Sequence, residues 1–262
     1  TNDLKTTVDF CHSQMANFPR IINYLAGRGI GEEMINHFKI GYGEFYGYRW
    51  ITIPITDVDG EYLMIKLRRD PGDEKNPDKF KVYPNGSNAT IFGWEVFLNA
   101  ETVAVAEGEG DRILLYKHGV PSISSTGGAN TFKSEWAKAF KNVKKVFLVY
   151  DLDEAGKKGM EKVANLLLDE YPDLSVFICT LPEELGKSGD VSDYFLKLNK
   201  DIDELFYERS RLFKREIKDD QKSNAVARNG GGGELTQDEI ERASKTHCKK
   251  FIKVERESNG VS

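Results

Sequence analysis

The feature that most constrains the fold is an alternation of apolar strands and helical segments between residues 102 and 179. Four short segments separated by helical patterns predict strands at residues 102–106, 121–124, 146–150 and 174–179. Parallel strands need a crossover connection, which is usually a helix, so this order predicts a mostly parallel sheet with helices on its faces. Ligands of such sheets bind at the carboxyl ends of the strands, and functional residues are expected there.

The first hundred residues follow different periods. Residues 8–40 have a helical pattern that glycines interrupt at positions 27 and 29. From residue 50 to 67 the apolar period is two, with a turn at 58–60, which predicts a β-hairpin followed by a short strand at 79–82. We therefore expect a smaller α+β subdomain at residues 1–100 and an α/β sheet domain at 101–200.

Beyond residue 200 the apolar periodicity fades. Residues 201–217 are predicted to form a charged helix, and residues 218–233 are polar and end in four glycines, as flexible linkers do. Thr236 and Glu239 fit a capping box that opens a short helix at 236–245, too short to bury a core of its own. We expect residues 218–262 to lead toward a downstream domain.

Composition narrows the class of protein. The net charge of −5, with 30% charged and 39% hydrophobic residues, is ordinary for a globular protein and disfavours a general polyanion binder. The longest apolar runs, five or six residues, are too short to span a membrane. Cysteines 11, 179 and 248 lack metal-ligand spacing, so we expect no zinc site and a reducing, cytoplasmic setting.

Acidic residues follow three of the predicted parallel strands. Glu107 follows the first, Asp151 and Asp153 follow the third, and Asp190 and Asp193 follow the last. Carboxylates gathered at one sheet edge repel each other unless a cation lies between them, and Mg²⁺ prefers oxygen ligands. The joint pattern predicts a phosphoryl-transfer metal site with one or two ions. For any one of these acids alone, a helix N-cap or a solvated loop charge is the simpler interpretation.

Two other segments are candidates for phosphate contact. Between residues 66 and 81 there are six basic and four acidic residues, a local positive excess in an acidic chain. The loop that contains Thr126, Gly127 and Gly128 lies between a strand and a helix, where backbone amides can approach a phosphate. Neither signal is specific by itself, since the lysines and arginines could simply cover the outer face of a hairpin.

Several segments resemble a known family in ordered series. Residues 105–109 (VAEGE) and 150–158 (YDLDEAGKK) look like the TOPRIM fold of primases, topoisomerases and some nucleases. Upstream, residues 24–42 are similar to the opening of the RNA-polymerase domain of bacterial-type primases. Residues 66–68, 79–81 and 91–93 match best the phage and mitochondrial primase-helicases, and residues 190–193 match their last acidic motif.

The resemblance implies a TOPRIM catalytic domain preceded by a primase subdomain, and template-directed synthesis of RNA primers. It implies that Glu107 is a metal-linked acid or base, and that Asp151, Asp153 and Asp190, with Asp193, bind Mg²⁺ or Mn²⁺. It places basic residues, here Lys66, Arg68, Lys79 and Lys81, on nucleotide phosphates and template. The implied partners are single-stranded DNA, nucleoside triphosphates and a replicative helicase.

Other functions remain open. A TOPRIM nuclease would use similar carboxylates without needing the basic segment, and a degenerate core would only couple DNA to a helicase. A dehalogenase-like phosphatase also uses Asp-x-Asp after a strand, but it needs that motif early in the chain. Primases of this family usually carry a zinc-binding domain before the core; either it lies upstream of Thr1 or this lineage lacks it.

Overall fold

The computed structural model describes residues 2–186 and 189–215. Within the first hundred residues, four strands form an antiparallel sheet. Its strands are adjacent in chain order: β1 Gly41–Phe45, β2 Tyr48–Thr56, β3 Tyr62–Arg69 and β4 Phe80–Tyr83. Three helices precede it: α1 Asn2–Gln14, α2 Pro19–Gly27 and α3 Glu32–His37. The predicted hairpin is therefore confirmed as β2 and β3, and β1 and β4 extend it on both sides.

The second sheet has six strands in the order β10-β9-β8-β6-β7-β5. They are β5 Ile91–Phe92, β6 Thr102–Ala106, β7 Ser122–Ser125, β8 Lys145–Val149, β9 Ser175–Cys179 and β10 Ser210–Leu212. The four central strands are parallel and the two edge strands are antiparallel, which confirms the predicted mostly parallel sheet. The helices are α4 Glu109–Lys117, α5 Ser134–Ala137, α6 Glu154–Glu170 and α7 Val191–Leu196.

The chain after residue 200 differs from the predicted charged helix. A π-helical turn spans Glu204–Glu208, and strand β10 then pairs with β9. The turn ends there because Phe206 is buried against Phe147 in the core, while the Ser210 hydroxyl donates to the Phe206 carbonyl. The sheet extends beyond residues 101–200 at both ends, since β5 precedes this range and β10 follows it. The predicted linker and helix at 218–262 lie outside the described residues.

One hydrophobic core joins the two sheets. Successive residues of β6 point to opposite faces: Val103 and Val105 face α6, whereas Ala104 and Ala106 belong to a cluster that includes Ile21 of α2 and other residues of the first hundred. Small alanine side chains let the amino-terminal layer pack close to the sheet. The carboxyl ends of β6 and β8 are thereby held facing β3 and β4. Nowhere in residues 2–186 and 189–215 is a helix both long and apolar enough to cross a membrane.

Candidate active site

A cleft of about 340 Å³ opens between the two sheets. Its lining combines five acidic and four basic side chains with an aromatic ring: Glu107, Glu109, Asp111, Asp151 and Asp190, with Arg28, Lys66, Arg68, Lys79 and Phe80. The acids come from the strand ends and helix starts of the second sheet. Most of the bases come from the first sheet.

Glu107 and Asp151 meet because their strands are parallel neighbours. Ala106 of β6 lies beside Val149 of β8, and the Asp151 backbone N–H donates to Glu107 Oε2 at 3.1 Å. The Asp151 Oδ1 atom is buried and has no hydrogen-bond partner in the described part of the chain. Burial, followed by repulsion from Glu107, Asp190 and Asp153, raises the pKa of Asp151 to about 7. Burial is also the main cause of the raised pKa of Glu107.

Asp153 and Asp190 are helix N-caps. The Asp153 carboxylate accepts from the Gly156 N–H at 2.7 Å at the start of α6, and Asp190 accepts from the Asp193 N–H at 2.8 Å at the start of α7. Asp190 also lines the cleft, whereas Asp153 does not. Both residues are therefore N-caps, as the simpler interpretation predicts. Their negative charges still act on Asp151 and raise its pKa.

Asp193 lies outside the cleft lining. Its carboxylate pairs with Lys197, one turn along α7, at 2.8 Å. The structure therefore brings Glu107, Asp151 and Asp190 to one cleft, whereas the Asp193 carboxylate pairs with Lys197 outside its lining.

Asp111 joins these acids and was not predicted. It lies in the first turn of α4, where burial and the charges of Asp151 and Asp190 raise its pKa well above its ordinary value. The sequence pattern places Asp111 in a helix, whereas the predicted site acids lie in the segments after strands. The spacing between Glu107 and Asp111 was the signal that could have identified Asp111. Helix α4 starts two residues after Glu107, so its first turn lies beside the strand end.

The carboxylates fit a divalent cation in their chemistry. Hard cations take carboxylate oxygens, and the unpartnered Asp151 Oδ1 and the raised pKa values mark a place where positive charge is lacking. Within residues 2–186 and 189–215 no three histidine, cysteine or acidic side chains converge closely enough to hold an ion. The donor set is thus present, but its side chains are not gathered around one point.

The basic wall of the cleft is built on β3 and the segment before β4. Lys66 is buried; its Nζ lies 3.3 Å from Glu109 and donates to the Thr126 carbonyl, so it joins the two sheets. Arg68 donates to the Tyr24 hydroxyl at 3.0 Å. Lys79 lines the cleft, and its charge acts to lower the pKa of Asp151. Lys79 is therefore the cleft lysine whose charge acts on Asp151, whereas Lys66 pairs with Glu109 and Arg28 with Asp190.

Lys81 lies on the other face of the first sheet. It pairs in register with Leu67, which is buried in the cluster with Val8 of α1, and its Nζ pairs with Asp78 at 2.9 Å. Alternate residues of a strand point to opposite faces, so Lys81 does not share the cleft with Lys66 and Arg68.

The glycine loop is a tight turn at the edge of the cleft. Gly128 has a φ of +86°, and its N–H donates to the Ser125 carbonyl at 3.2 Å. The Gly127 N–H donates to Ser125 Oγ at 3.4 Å, while the Thr126 hydroxyl accepts from the Thr90 N–H. These groups therefore already have hydrogen-bond partners, in the loop or at Thr90. Contact of Thr126, Gly127 and Gly128 with a phosphate stays a prediction.

Comparison with known proteins agrees with this architecture. Residues 104–195 match the family model described as Toprim-like. The uncharacterized protein MG010 of Mycoplasma genitalium is 26% identical over 188 residues, which cover 70% of this chain and 83% of that protein. DNA primases of Chlamydia pneumoniae, Aquifex aeolicus and Enterococcus faecalis are 23–29% identical, and the chain spans only 30–37% of their length.

Solved structures share the fold. A DNA primase domain from Pseudomonas aeruginosa superposes with a TM-score of 0.64 at 19% identity, covering 80% of this chain and 78% of that one. The primase fragment of the bacteriophage T7 primase-helicase gives a TM-score of 0.53 at 22% identity, covering 67% and 70%. Residues 104–195 are therefore similar to a Toprim-like domain, in a chain that is similar in sequence to DNA primases and has the fold of their catalytic cores.

Proposed function

We propose that this chain is a primase catalytic core that synthesises short RNA primers on single-stranded DNA. The observation that carries the proposal is the opposition, in one cleft, of carboxylates from two parallel strand ends and basic residues from the first sheet. Nucleotide joining needs negative charge to hold cations and positive charge to hold phosphates, at a distance that one nucleotide can bridge. The relatedness to DNA primases supports the same function.

Glu107, Asp111, Asp151 and Asp190 are the residues that would hold Mg²⁺ or Mn²⁺. When bound, the cation would help to activate a primer 3′-hydroxyl and to offset the charge of departing pyrophosphate. Asp151 and Glu107 must give up their protons to act as ligands. The pKa of Asp151, about 7, makes this step dependent on pH near neutrality, and burial also raises the pKa of Glu107.

Lys79 and Arg68 would bind the triphosphate and the template backbone. Both line the cleft, and phosphate contacts of this kind position the nucleotide without reading its sequence. Lys66, buried and paired with Glu109, would instead hold the wall that carries them. Asp153 would act on the cleft through its charge and as the cap of α6.

A replicative helicase is the proposed partner, and the replicating DNA of the cytoplasm or an organelle is the proposed location. The T7 protein whose primase fragment shares this fold is a primase-helicase. Residues 218–262 would connect the core to such a domain.

The test is primer synthesis by the full chain. It is incubated with single-stranded DNA, nucleoside triphosphates and Mg²⁺ or Mn²⁺, and the products are resolved by length. We expect oligoribonucleotides that disappear in Asp151→Asn and are reduced in Lys79→Ala. The matched control is Lys144→Ala, an exposed lysine before β8 at the opposite end of that strand.

The same assay with end-labelled DNA tests the nuclease alternative. Cleavage that requires Asp151, without any ribonucleotide product, would replace primer synthesis with phosphodiester hydrolysis. DNA binding without either reaction, unchanged in Asp151→Asn, would instead indicate a non-catalytic module that couples DNA to a helicase.

A further inference from the structure

Phe80 is an exposed aromatic side chain inside a charged cleft. It retains 38% of its accessible surface although it lines the cleft beside Lys79 and Arg68. Its ring makes no contribution to the three buried clusters described for this chain. A large apolar ring kept exposed among charges, where water solvates it poorly, is a surface suited to an apolar or aromatic ligand.

Three cations surround this ring. Lys66 Nζ lies 5.2 Å, Lys79 Nζ 5.5 Å and the Arg68 guanidinium carbon 5.6 Å from its centroid. The register of β3 and β4 explains two of the three, because Arg68 pairs directly with Phe80 and Lys66 with Val82, on one face of the sheet. Lys79 directly precedes Phe80 and lies before the strand. Cations at these distances are attracted by the ring, so Phe80 and the phosphate-binding groups form one unit.

We propose that Phe80 is the surface on which the base of a bound nucleoside triphosphate stacks, an inference that rests on the proposed function. A nucleotide carries an aromatic base and a polyphosphate on one scaffold, and this unit offers a ring and cations side by side. The acids that would hold cations for the polyphosphate come from the second sheet, whereas Phe80 lies on β4 of the first, and both line the cleft. The base is then left at the Phe80 end.

Stacking also suits the chemistry that a template-directed enzyme requires. Every base has an aromatic face, so a ring accepts all four bases and leaves selection to pairing with the template. The side chains around Phe80 are cations held by Glu109, Tyr24 and the ring itself, and they can bind phosphate without favouring a particular base.

The test compares ligands with and without a base. Affinities of the four nucleoside triphosphates and of inorganic tripolyphosphate are measured for the full chain, Phe80→Ala and Phe80→Tyr. We expect Phe80→Ala to bind every nucleoside triphosphate roughly 5- to 150-fold more weakly, as loss of one stacked base predicts. Tripolyphosphate affinity should stay unchanged, and Phe80→Tyr should restore nucleotide affinity. Phe10→Ala is the matched control, since Phe10 is 60% exposed on α1 and outside the cleft lining.

Three outcomes would overturn the inference. These are unchanged nucleotide affinity in Phe80→Ala, an equal loss for tripolyphosphate, and failure of the unaltered chain to bind any nucleotide. An equal loss would mean that the ring only positions the cations. Binding that depends on Phe80 in a chain that makes no primers would support this inference while contradicting the proposed function. Primer synthesis that is unaffected by Phe80→Ala would support the proposed function while contradicting this inference.

Discussion

Asp151 carries a charge that its surroundings do not balance. Its buried Oδ1 has no partner in the described part of the chain, and the other acids of the cleft repel it. Such a group is retained where a function uses it, since it weakens the fold when ionised. Asp153, two residues later, also stabilises α6 as its cap. Substitutions at Asp151 and at Asp153 should therefore change the stability of the chain in opposite directions.

We expect Asp151→Asn to abolish nucleotide joining and to raise stability at neutral pH. The pKa in the folded chain is about 7, above the ordinary 3.8, so the folded state holds this proton more strongly than the unfolded state does. The residue's contribution to the free energy of unfolding therefore falls as pH rises from about 4 to about 7. Thermal melts should show the advantage of the variant growing through that window. About 1 kcal/mol corresponds to roughly 2–4 °C in Tm.

Added Mg²⁺ should raise the Tm of the unaltered chain more than that of Asp151→Asn. A lower Tm for the variant at neutral pH would show that the carboxylate holds the loop together, and the site assignment would then be wrong.

Asp153→Ala and Asp153→Asn should differ in stability and agree in activity. Alanine removes the acceptor for the Gly156 N–H at 2.7 Å and should cost about 1 kcal/mol, whereas asparagine is an equally good N-cap. Both variants remove the negative charge, so both should reduce primer synthesis. Urea unfolding and the primer assay measure the two effects separately. Full activity in Asp153→Asn would leave capping as the only role of this residue.

Strand β4 and the residue before it separate two lysines by face. Lys79 lines the cleft and Lys81 pairs with Asp78 on the face of α1. The resemblance implies that both lysines contact nucleotide or template, and local charge does not reveal which way a side chain points. Lys81 pairs in register with Leu67 and shares its face, whereas Lys79 precedes the strand and does not follow its alternation.

We expect Lys79→Ala to weaken binding of single-stranded DNA or nucleotide, and Lys81→Ala to leave it nearly unchanged. Removing one phosphate contact should also lower the slope of log affinity against log salt by about one. Arg68→Ala should behave like Lys79→Ala. Fluorescence anisotropy over a series of salt concentrations measures both quantities. Equal losses in Lys79→Ala and Lys81→Ala would place the basic surface around the edge of the sheet and outside the cleft.

The accuracy of the sequence predictions follows the strength of the local signal. Three of the four central strands could be predicted from buried apolar runs, and the ends of two of them then located Glu107 and Asp151. Strand β7, with the sequence SISS, is recognised from its place between two helical segments. The edge strands β5 and β10 have two and three residues, too few for any period to show. Arg28 and Asp190 pair at 3.1 Å across 162 positions, a contact that no local pattern contains.

At the scale of the whole molecule, the catalytic unit should end soon after β10. Strand β10 completes the edge of the second sheet, and Phe213 packs against its core. Truncation after Ile217 should therefore leave metal binding and primer synthesis near the level of the full chain on short templates, and remove only coupling to a helicase.

Truncation after Arg209 is the informative comparison. It deletes β10, exposes the edge of β9 and should lower the Tm by several degrees. Primer synthesis lost already on truncation after Ile217 would assign residues 218–262 to the active site.

The buried cluster that joins the two sheets makes the cleft preorganised. Ala104 and Ala106 sit in the same cluster as Ile21 of α2, so the spacing of the acidic and basic walls is set when the chain folds. An incoming ligand then spends none of its binding free energy on bringing the walls together. Ala106 does not line the cleft. A larger side chain there, as in Ala106→Val, would push the two walls of the cleft apart from within the buried cluster. The proposed primer synthesis should therefore be sensitive to side-chain volume at sites that no substrate reaches.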